Sequence, residues 1–374
     1  MYHENVKVAV VFTFGYSLDT WNSSGTLEKE LKPYLLLNKL YNIEFTFITF
    51  GDKTDRHINT GTSNINVIPV YEMINKSKYK FVNYMKSFFV PFMVKSQLSD
   101  INIIKQNQLL GSWVSIILQR LLRKPLIVRT GYDMYEFSIL ENKKWHIKKL
   151  YKLLTYMSLK SSDLYTVSSK CDKDFLQKNF NGGNILIRPN WVNKYPSVKF
   201  NSRARKKIIT VGRLENQKNF KSLIESFQNS EFEIDIIGNG SQKNLLQSIA
   251  SECNVKVNFI NNIQNDEIIA LLKKYKYFIS TSLFEGNPKS MLEALSVGCI
   301  VFASNIKNHR EIIKNGVNGF LFELDNNNLR KVFEENHEHD LIEEISHNAQ
   351  KIINKSNSID KLVETENSDF LSLL

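Results

Sequence analysis

Short runs of almost uninterrupted apolar residues recur along this chain, each followed by a polar turn and a stretch with helical spacing. Val6 to Phe12 (VKVAVVF) is the first. A strand that reads apolar at nearly every position is covered on both faces, the condition of a parallel sheet between helical layers. Ile43 to Phe50, Ile65 to Val70, Ile101 to Lys105, Pro125 to Arg129, Leu164 to Ser168 and Ile185 to Ile187 continue the series. Thr26 to Leu40 places Leu27, Leu31 and Leu35 on one helical face, and Gly111 to Leu122, about Lys144 to Lys160 and Asp172 to Phe180 supply later helices. The series then restarts at Lys207 to Val211. It runs through Phe232 to Ile237, Lys256 to Ile260, Tyr277 to Ile279, Cys299 to Ala303 and Gly319 to Phe322. Strand, helix, strand at this spacing is the βαβ unit. The expected fold is α/β, two Rossmann-like parallel-sheet domains facing each other across a cleft, with ligands at the carboxyl ends of the strands.

The boundaries follow the punctuation. Residues 1–192 form a first domain, the polar segment 193–206 a linker, and 207–350 a second domain. Residues 351–374 form a helical tail that can pack back on the first. A length of 374 residues suits two such cores. Three scattered cysteines, Cys171, Cys253 and Cys299, fit no metal or redox spacing and suit a reducing cytosol. Neither a signal peptide nor an apolar run long enough to span a membrane is read, which points to a cytoplasmic protein. The net charge of +11 is uneven: residues 1–200 hold 28 Lys+Arg against 15 Asp+Glu, and the rest is nearly neutral. Either the composition is simply lysine-rich, or the first half presents a basic face to an anionic surface.

Two stretches carry chemistry. In Phe278 to Glu293 (FISTSLFEGNPKSMLE) a strand runs into a turn-rich loop and then a helix, with Asn287 as the expected N-cap and Pro288 in the first turn. Uncapped first-turn amides at a strand's carboxyl edge make an anion site, and the bracketing carboxylates Glu285 and Glu293 suit hydroxyl donors of a ribose or a hexose. Lys289 and Glu293 could equally be a surface i,i+4 pair. In Val211 to Asn219 (VGRLENQKN), Gly212 lets the backbone turn while Arg213 and Lys218 bring two cations to the same sheet edge, as a diphosphate requires.

The combination GRLENQKN, IIGNG, TSLFEGNPKSMLEALSVGCIVFAS and NGFLF resembles the retaining glycosyltransferases of family four, which have the GT-B fold. The match covers roughly Ile187 to Phe322, with Glu285 and Glu293 at the spacing of that family's paired glutamates. The resemblance implies that Arg213 and Lys218 hold the donor diphosphate and offset charge on the leaving nucleotide. It implies that Glu293 accepts from the ribose, that Glu285 positions the transferred sugar, and that the backbone of Gly286, Asn287, Ser290 and Met291 contacts sugar and phosphate. Gly238, Gly240 and Ile263 would line the base pocket, and Gly25 stands where the family has a glycine loop after the first strand. Transfer in such enzymes proceeds on one face of the sugar, the departing phosphate oxygen taking the acceptor's proton. The family's first-domain histidine is missing, since the neighbourhood reads Arg129-Thr130-Gly131-Tyr132-Asp133. That leaves Asp133 or Arg129 to position the acceptor. Asp172-Lys173-Asp174 reads as a helix start rather than a metal site, so no metal and no separate cofactor are expected.

The implied function is transfer of a sugar from a nucleotide-sugar donor, a UDP-sugar first and a GDP- or ADP-sugar next, to a glycan or lipid-linked acceptor in bacterial surface polysaccharide or glycoconjugate synthesis. A soluble acceptor, or another two-Rossmann enzyme such as a nucleotide-sugar epimerase, stands as the alternative. Nucleic acid is not an expected partner, because no binding module accompanies the basic charge. Lys76 to Lys95 (KSKYKFVNYMKSFFVPFMVK) alternates lysines with aromatic residues. It reads either as a crossover helix kinked at Pro91, or as a segment lying in an anionic lipid interface on the inner face of the cell membrane.

Overall fold

The structure is a computed structural model that describes residues 5–325 and 328–374. It divides into two compact units: one runs to Arg188 and takes in Leu362–Leu374, the other is Pro189–Lys361.

In the first unit seven parallel strands, β1 (Lys7–Val11), β2 (Glu44–Thr49), β3 (Ile65–Pro69), β4 (Ile103–Asn107), β5 (Leu126–Arg129), β6 (Leu164–Val167) and β7 (Ile185–Ile187), lie in the order β3-β2-β1-β4-β5-β6-β7. The order reverses between β1 and β4, the switch point of a doubly wound sheet. Every residue of β1 after Lys7 is buried, which is why the run reads apolar throughout. Ala9, Val11, Ile104, Trp113, Val114, Leu118 and Val128 belong to the core that the helices 90–94, 112–122 and 145–161 cover. The C-terminal helix Ile359–Leu371 returns to this unit, where Lys105 on β4 meets Glu366 and Arg188 meets Asp369.

Two segments differ from expectation. The stretch between β1 and the helix expected from Thr26, where only a polar turn is expected, contains the helix Leu18–Ser23. Ser17 caps it, and the buried Asp55 accepts from the Leu18 and Asp19 amides at 3.2 and 3.0 Å, so a distant carboxylate supplies what local spacing did not show. Lys76 to Lys95 is not one helix kinked at Pro91. It is two, Lys80–Ser87 and Val90–Val94, and Pro91 occupies the first turn of the second, where its missing N–H costs no bond.

The second unit holds six parallel strands: β8 (Ala204–Val211), β9 (Glu233–Ile237), β10 (Val257–Ile260), β11 (Tyr275–Ser280), β12 (Ile300–Ser304) and β13 (Phe320–Phe322). Their order is β10-β9-β8-β11-β12-β13, with the reversal between β8 and β11. Phe227, Phe232, Tyr277 and Phe302 pack edge-on or tilted around Phe333 on one face, and Met291, Leu292 and Leu295 cover the other. No helix among the described residues is long and apolar enough to cross a membrane.

Candidate active site

The loops after β8 and β11 meet at the switch point of the second unit. The Leu283 amide donates to the Gln217 carbonyl at 2.8 Å, and Thr281 Oγ1 donates to the Lys218 carbonyl at 2.8 Å. A third loop, after β9, locks onto the first. Leu214 N–H donates to Asn239 O at 2.9 Å, and Glu215 accepts from the Ser241 amide and hydroxyl at 2.9 and 2.7 Å. Those bonds hold the Glu215 carboxyl below its usual range. Two glycines make this approach possible. A Cβ on Gly238, whose φ is +148°, would lie 2.0 Å from Gly212 O, and one on Gly240 would lie 2.4 Å from Leu214 O.

At the centre Lys218 Nζ donates to Glu285 Oε1 in a largely buried ion pair. Ser282 Oγ also donates to that oxygen, at 2.7 Å, and Gln217 Nε2 reaches the Phe284 carbonyl at 2.9 Å and Glu285 Oε2 at 3.5 Å. Burial pushes the Glu285 carboxyl up, but the Lys218 ammonium and the Ser282 hydroxyl outweigh it and hold the group below the ordinary glutamate value. Glu285 is therefore a carboxylate that accepts hydrogen bonds. Arg213 is exposed, with Nη2 3.5 Å from Gln217 Oε1.

The helix that follows is Lys289–Ser296, and no side chain caps it. Asn287 is not its N-cap, contrary to the sequence reading: the cap position is Pro288. Asn287 Oδ1 instead accepts from the Asn190 amide at 2.9 Å, and Asn190 Nδ2 donates to the Asn287 carbonyl at 2.6 Å. No side chain caps the first turn, the arrangement an anion site on its amides would need, for a different local reason than the sequence reading gave. Met291 is fully buried in the core, so only its backbone faces that role. Ser290 is half-buried on the first turn, and Gly286 is buried in the loop. Glu293 is buried and accepts from Asn265 Nδ2 at 3.0 Å, and Ile263 is half-buried against the same core.

Behind the pair runs a set of groups that sequence reasoning passed over. Ser304 Oγ donates to the Ser282 carbonyl at 2.6 Å, and His309 Nδ1 lies 2.9 Å from the Ser304 carbonyl. Burial pushes His309 down to about 4 despite the pull of Glu285, so the ring is neutral at pH 7. Its Nε2 is buried without a hydrogen-bond partner among the described residues. Nothing in the local pattern around His309 marked it: its partner Ser304 is five residues away, and only the Ser304 bond to Ser282 ties it to the site loop.

The remaining expected residues lie in the first unit. Asp133 is fully buried as the N-cap of the helix Met134–Leu140, accepting from the Glu136 amide at 2.7 Å and facing Thr155 Oγ1 at 3.4 Å. Burial lifts its carboxyl to about 6. Gly25, at φ +70°, ends the helix Leu18–Ser23, and Arg129 is the last residue of β5. The structure gathers the expected residues of the second unit around one strand edge, and gives Asp133 and Gly25 capping positions.

Two parallel sheets, each with its order reversed at a switch point, define the GT-B class. The fold agrees over 99% of both chains with sucrose-phosphate synthase from Thermosynechococcus elongatus (TM-score 0.79, 13% identity). It agrees likewise with HepE from Anabaena in complex with UDP (TM-score 0.75, 15% identity, 98% of this chain and 100% of that one). Within that class, residues 194–351 match the family described as Glycosyl transferases group 1. Among curated proteins the chain is 26% identical over 280 residues to the UDP-Gal:alpha-D-GlcNAc-diphosphoundecaprenol alpha-1,3-galactosyltransferase of Escherichia coli, 69% of this chain and 66% of that protein. The chain spans between 50% and 66% of the length of the first three curated relatives it matches.

Proposed function

We propose that the protein is a retaining, metal-independent glycosyltransferase. It moves a sugar from a nucleotide-sugar, a UDP-sugar in the first instance, to a glycan or lipid-linked acceptor of bacterial surface polysaccharide or glycoconjugate synthesis. It would work on the cytoplasmic face of the cell membrane as a peripheral protein. The observation that carries the reading is the buried Lys218–Glu285 pair at the switch point, flanked by exposed Arg213 and an uncapped helix start. The group 1 match over the same unit and the lipid-diphosphate acceptor named for the E. coli relative support it.

In this reading Arg213, the remaining Lys218 donors and the first-turn amides take the diphosphate. Glu285 accepts from the sugar's hydroxyls, and Glu293 from the ribose. The bond from the anomeric carbon to the phosphate oxygen breaks with its electron pair going to that oxygen. The acceptor hydroxyl bonds the same face of the carbon, and its proton passes to the departing phosphate. The cations stabilise the developing charge without a protein nucleophile.

The test is a panel of UDP-, GDP- and ADP-sugars scored for thermal stabilisation, since a ligand of the native state raises the melting temperature by mass action. Transfer to a polyprenyl-diphosphate sugar follows, with the product anomer read by NMR and EDTA added. Stabilisation by one nucleotide-sugar family, an α product from an α donor and activity in EDTA are expected. No stabilisation by any member overturns the donor reading, an inverted anomer overturns retention, and EDTA loss restored by Mg²⁺ overturns metal independence.

A further inference from the structure

The outer surface of the first unit carries two helical strips whose apolar side faces out. In Lys80–Ser87 the buried positions are the polar Asn83 and Ser87. Asn83 Oδ1 accepts from the Ser77 amide at 2.7 Å and its Nδ2 donates to the Ser77 carbonyl at 2.8 Å, while Ser87 Oγ accepts from Trp113 Nε1 at 2.9 Å. The exposed positions, by contrast, are Phe81 and Met85, continued by Phe89, Phe92 and Met93 and preceded by Tyr79. Tyr79, Phe81 and Phe89 expose 74%, 71% and 64% of their surface. A helix packed on a water-facing protein shows the reverse arrangement. Tyr84 and Phe88 do turn inward, against Trp113, and anchor the strip.

The helix Trp145–Ser161 repeats the pattern. Leu154, Thr155, Ser158 and Leu159 face the core, and Trp145, Leu150, Leu153, Tyr156 and Met157 are exposed. The helices Val90–Val94 and Trp145–Ser161 both pack on Ser112–Leu122, a helix that is itself mostly buried, so the strips border one layer on one face of the sheet. Neither strip holds an acidic residue. Lys76, Lys78, Lys80, Lys86 and Lys95 punctuate residues 73–99, and Lys143, Lys144, Lys148, Lys149, Lys152 and Lys160 punctuate residues 142–162.

Two candidate occupants fail on chemistry. A nucleic acid would engage the lysines and leave Phe81, Met85 and Met93 in water. A second copy would press like charge on like. Aromatic and long apolar side chains ringed by lysines suit the headgroup boundary of an anionic bilayer, where rings insert and ammonium groups meet phosphates. We infer that the strips 79–93 and 145–157 form one docking surface for an anionic lipid bilayer, held through both at once. This rests on the peripheral-membrane part of the proposed function and adds the surface that performs it.

The experiment is co-sedimentation of the full chain with vesicles of phosphatidylglycerol and phosphatidylethanolamine, against phosphatidylcholine alone, at low and high salt. Binding is expected only with the anionic vesicles, weakened by salt. Phe81→Ser/Phe89→Ser/Phe92→Ser and Leu150→Gln/Leu153→Gln/Met157→Gln should each lower partitioning by roughly tenfold or more. Lys78→Glu/Lys80→Glu/Lys149→Glu alters only exposed positions and should do the same if an apolar variant misfolds. Trp145 is the exposed one of four tryptophans, so brominated lipid should quench emission in the wild type and not in Trp145→Phe. Equal binding to phosphatidylcholine, wild-type partitioning of either strip's variant, or quenching unchanged in Trp145→Phe overturns the surface. So does a variant-sensitive dimer in vesicle-free solution. Nucleotide-sugar stabilisation, measured on the same variants, should be unchanged. Its loss in the wild type would sink the transferase reading and leave the lipid result standing.

Discussion

Each unit contains a buried lysine–glutamate pair, and the two are alike in chemistry but not in surroundings. In the first unit Lys105 projects from the middle of β4 and donates to both oxygens of Glu366 at 2.9 and 2.8 Å. The rings of Tyr34 and Phe370 lie 5.2 and 5.8 Å from its ammonium. Set among a sheet, a helix and two rings, with 5% and 9% of the side chains exposed, that pair tethers the C-terminal helix. In the second unit Lys218 and Glu285 stand in loops beyond the strand ends, with 16% and 8% of their side chains exposed. Among the described residues the Lys218 ammonium bonds Glu285 alone, so donor capacity is left over. The difference teaches that the position of an ion pair on the sheet, rather than its burial, separates a tether from a candidate site.

The largest expected effect tests that separation directly. Removing one partner of a buried pair strands a charge and costs about 3–5 kcal/mol. Lys105→Ala and Lys218→Ala should both lower the melting temperature, but only Lys218→Ala should also slow transfer per folded molecule, by roughly 10²-fold or more. Replacing both partners with apolar residues, Lys105→Met/Glu366→Leu and Lys218→Met/Glu285→Leu, should recover stability in each unit, with transfer normal in the first and still slowed in the second. Recovered transfer in the second would make Lys218–Glu285 another tether.

Next in size is Arg213→Ala. Its side chain is exposed, so stability should stay within about 0.5 kcal/mol while transfer falls roughly 10²-fold. Melting curves beside kcat/KM check it, and near-normal turnover would remove Arg213 from the diphosphate.

Asp133 carries a pH signature. Burial raises its carboxyl from the usual 3.8 to about 6, against the opposing bonds from Glu136 and Thr155. The folded chain therefore binds this proton more tightly than the unfolded chain does. Stability falls as pH rises from 3.8 to about 6, and the full penalty stands above it. Asp133→Asn keeps a good N-cap and removes the penalty, so it should gain about 1–3 kcal/mol at neutral pH and almost nothing near pH 4. Denaturant titrations at the two pH values decide this. Unchanged stability with transfer lost would return Asp133 to acceptor positioning and break the view of it as a cap.

The smallest effect expected is at Glu293. Glu293→Gln keeps a partner for Asn265 but removes the charge, and should weaken nucleotide affinity by about tenfold with kcat little changed. Calorimetry with free nucleotide checks it; unaltered affinity would end the ribose assignment.

The strands were legible because burial on both faces leaves no polar position to obscure the run, as in Val8 to Val11 and Ile300 to Ala303. The placement of Gly212, Arg213 and Lys218, and of Glu285 and Glu293, at strand ends was legible because each set sits within one strand–loop–helix unit. Tertiary structure alone decided the rest. Lys218 meets Glu285 across 67 residues of chain and Lys105 meets Glu366 across 261, and His309 takes its place through Ser304 behind a loop it does not neighbour in sequence. Asn287 left the helix cap for Asn190, 97 residues away. The outward turn of Phe81 and Phe89 was decided the same way, by Asn83 and Ser87 taking the inner face. Periodicity reports which residues share a face of an element. Which face is covered, and which distant group completes a charge or a cap, depends on contacts that close only when the sheets are assembled.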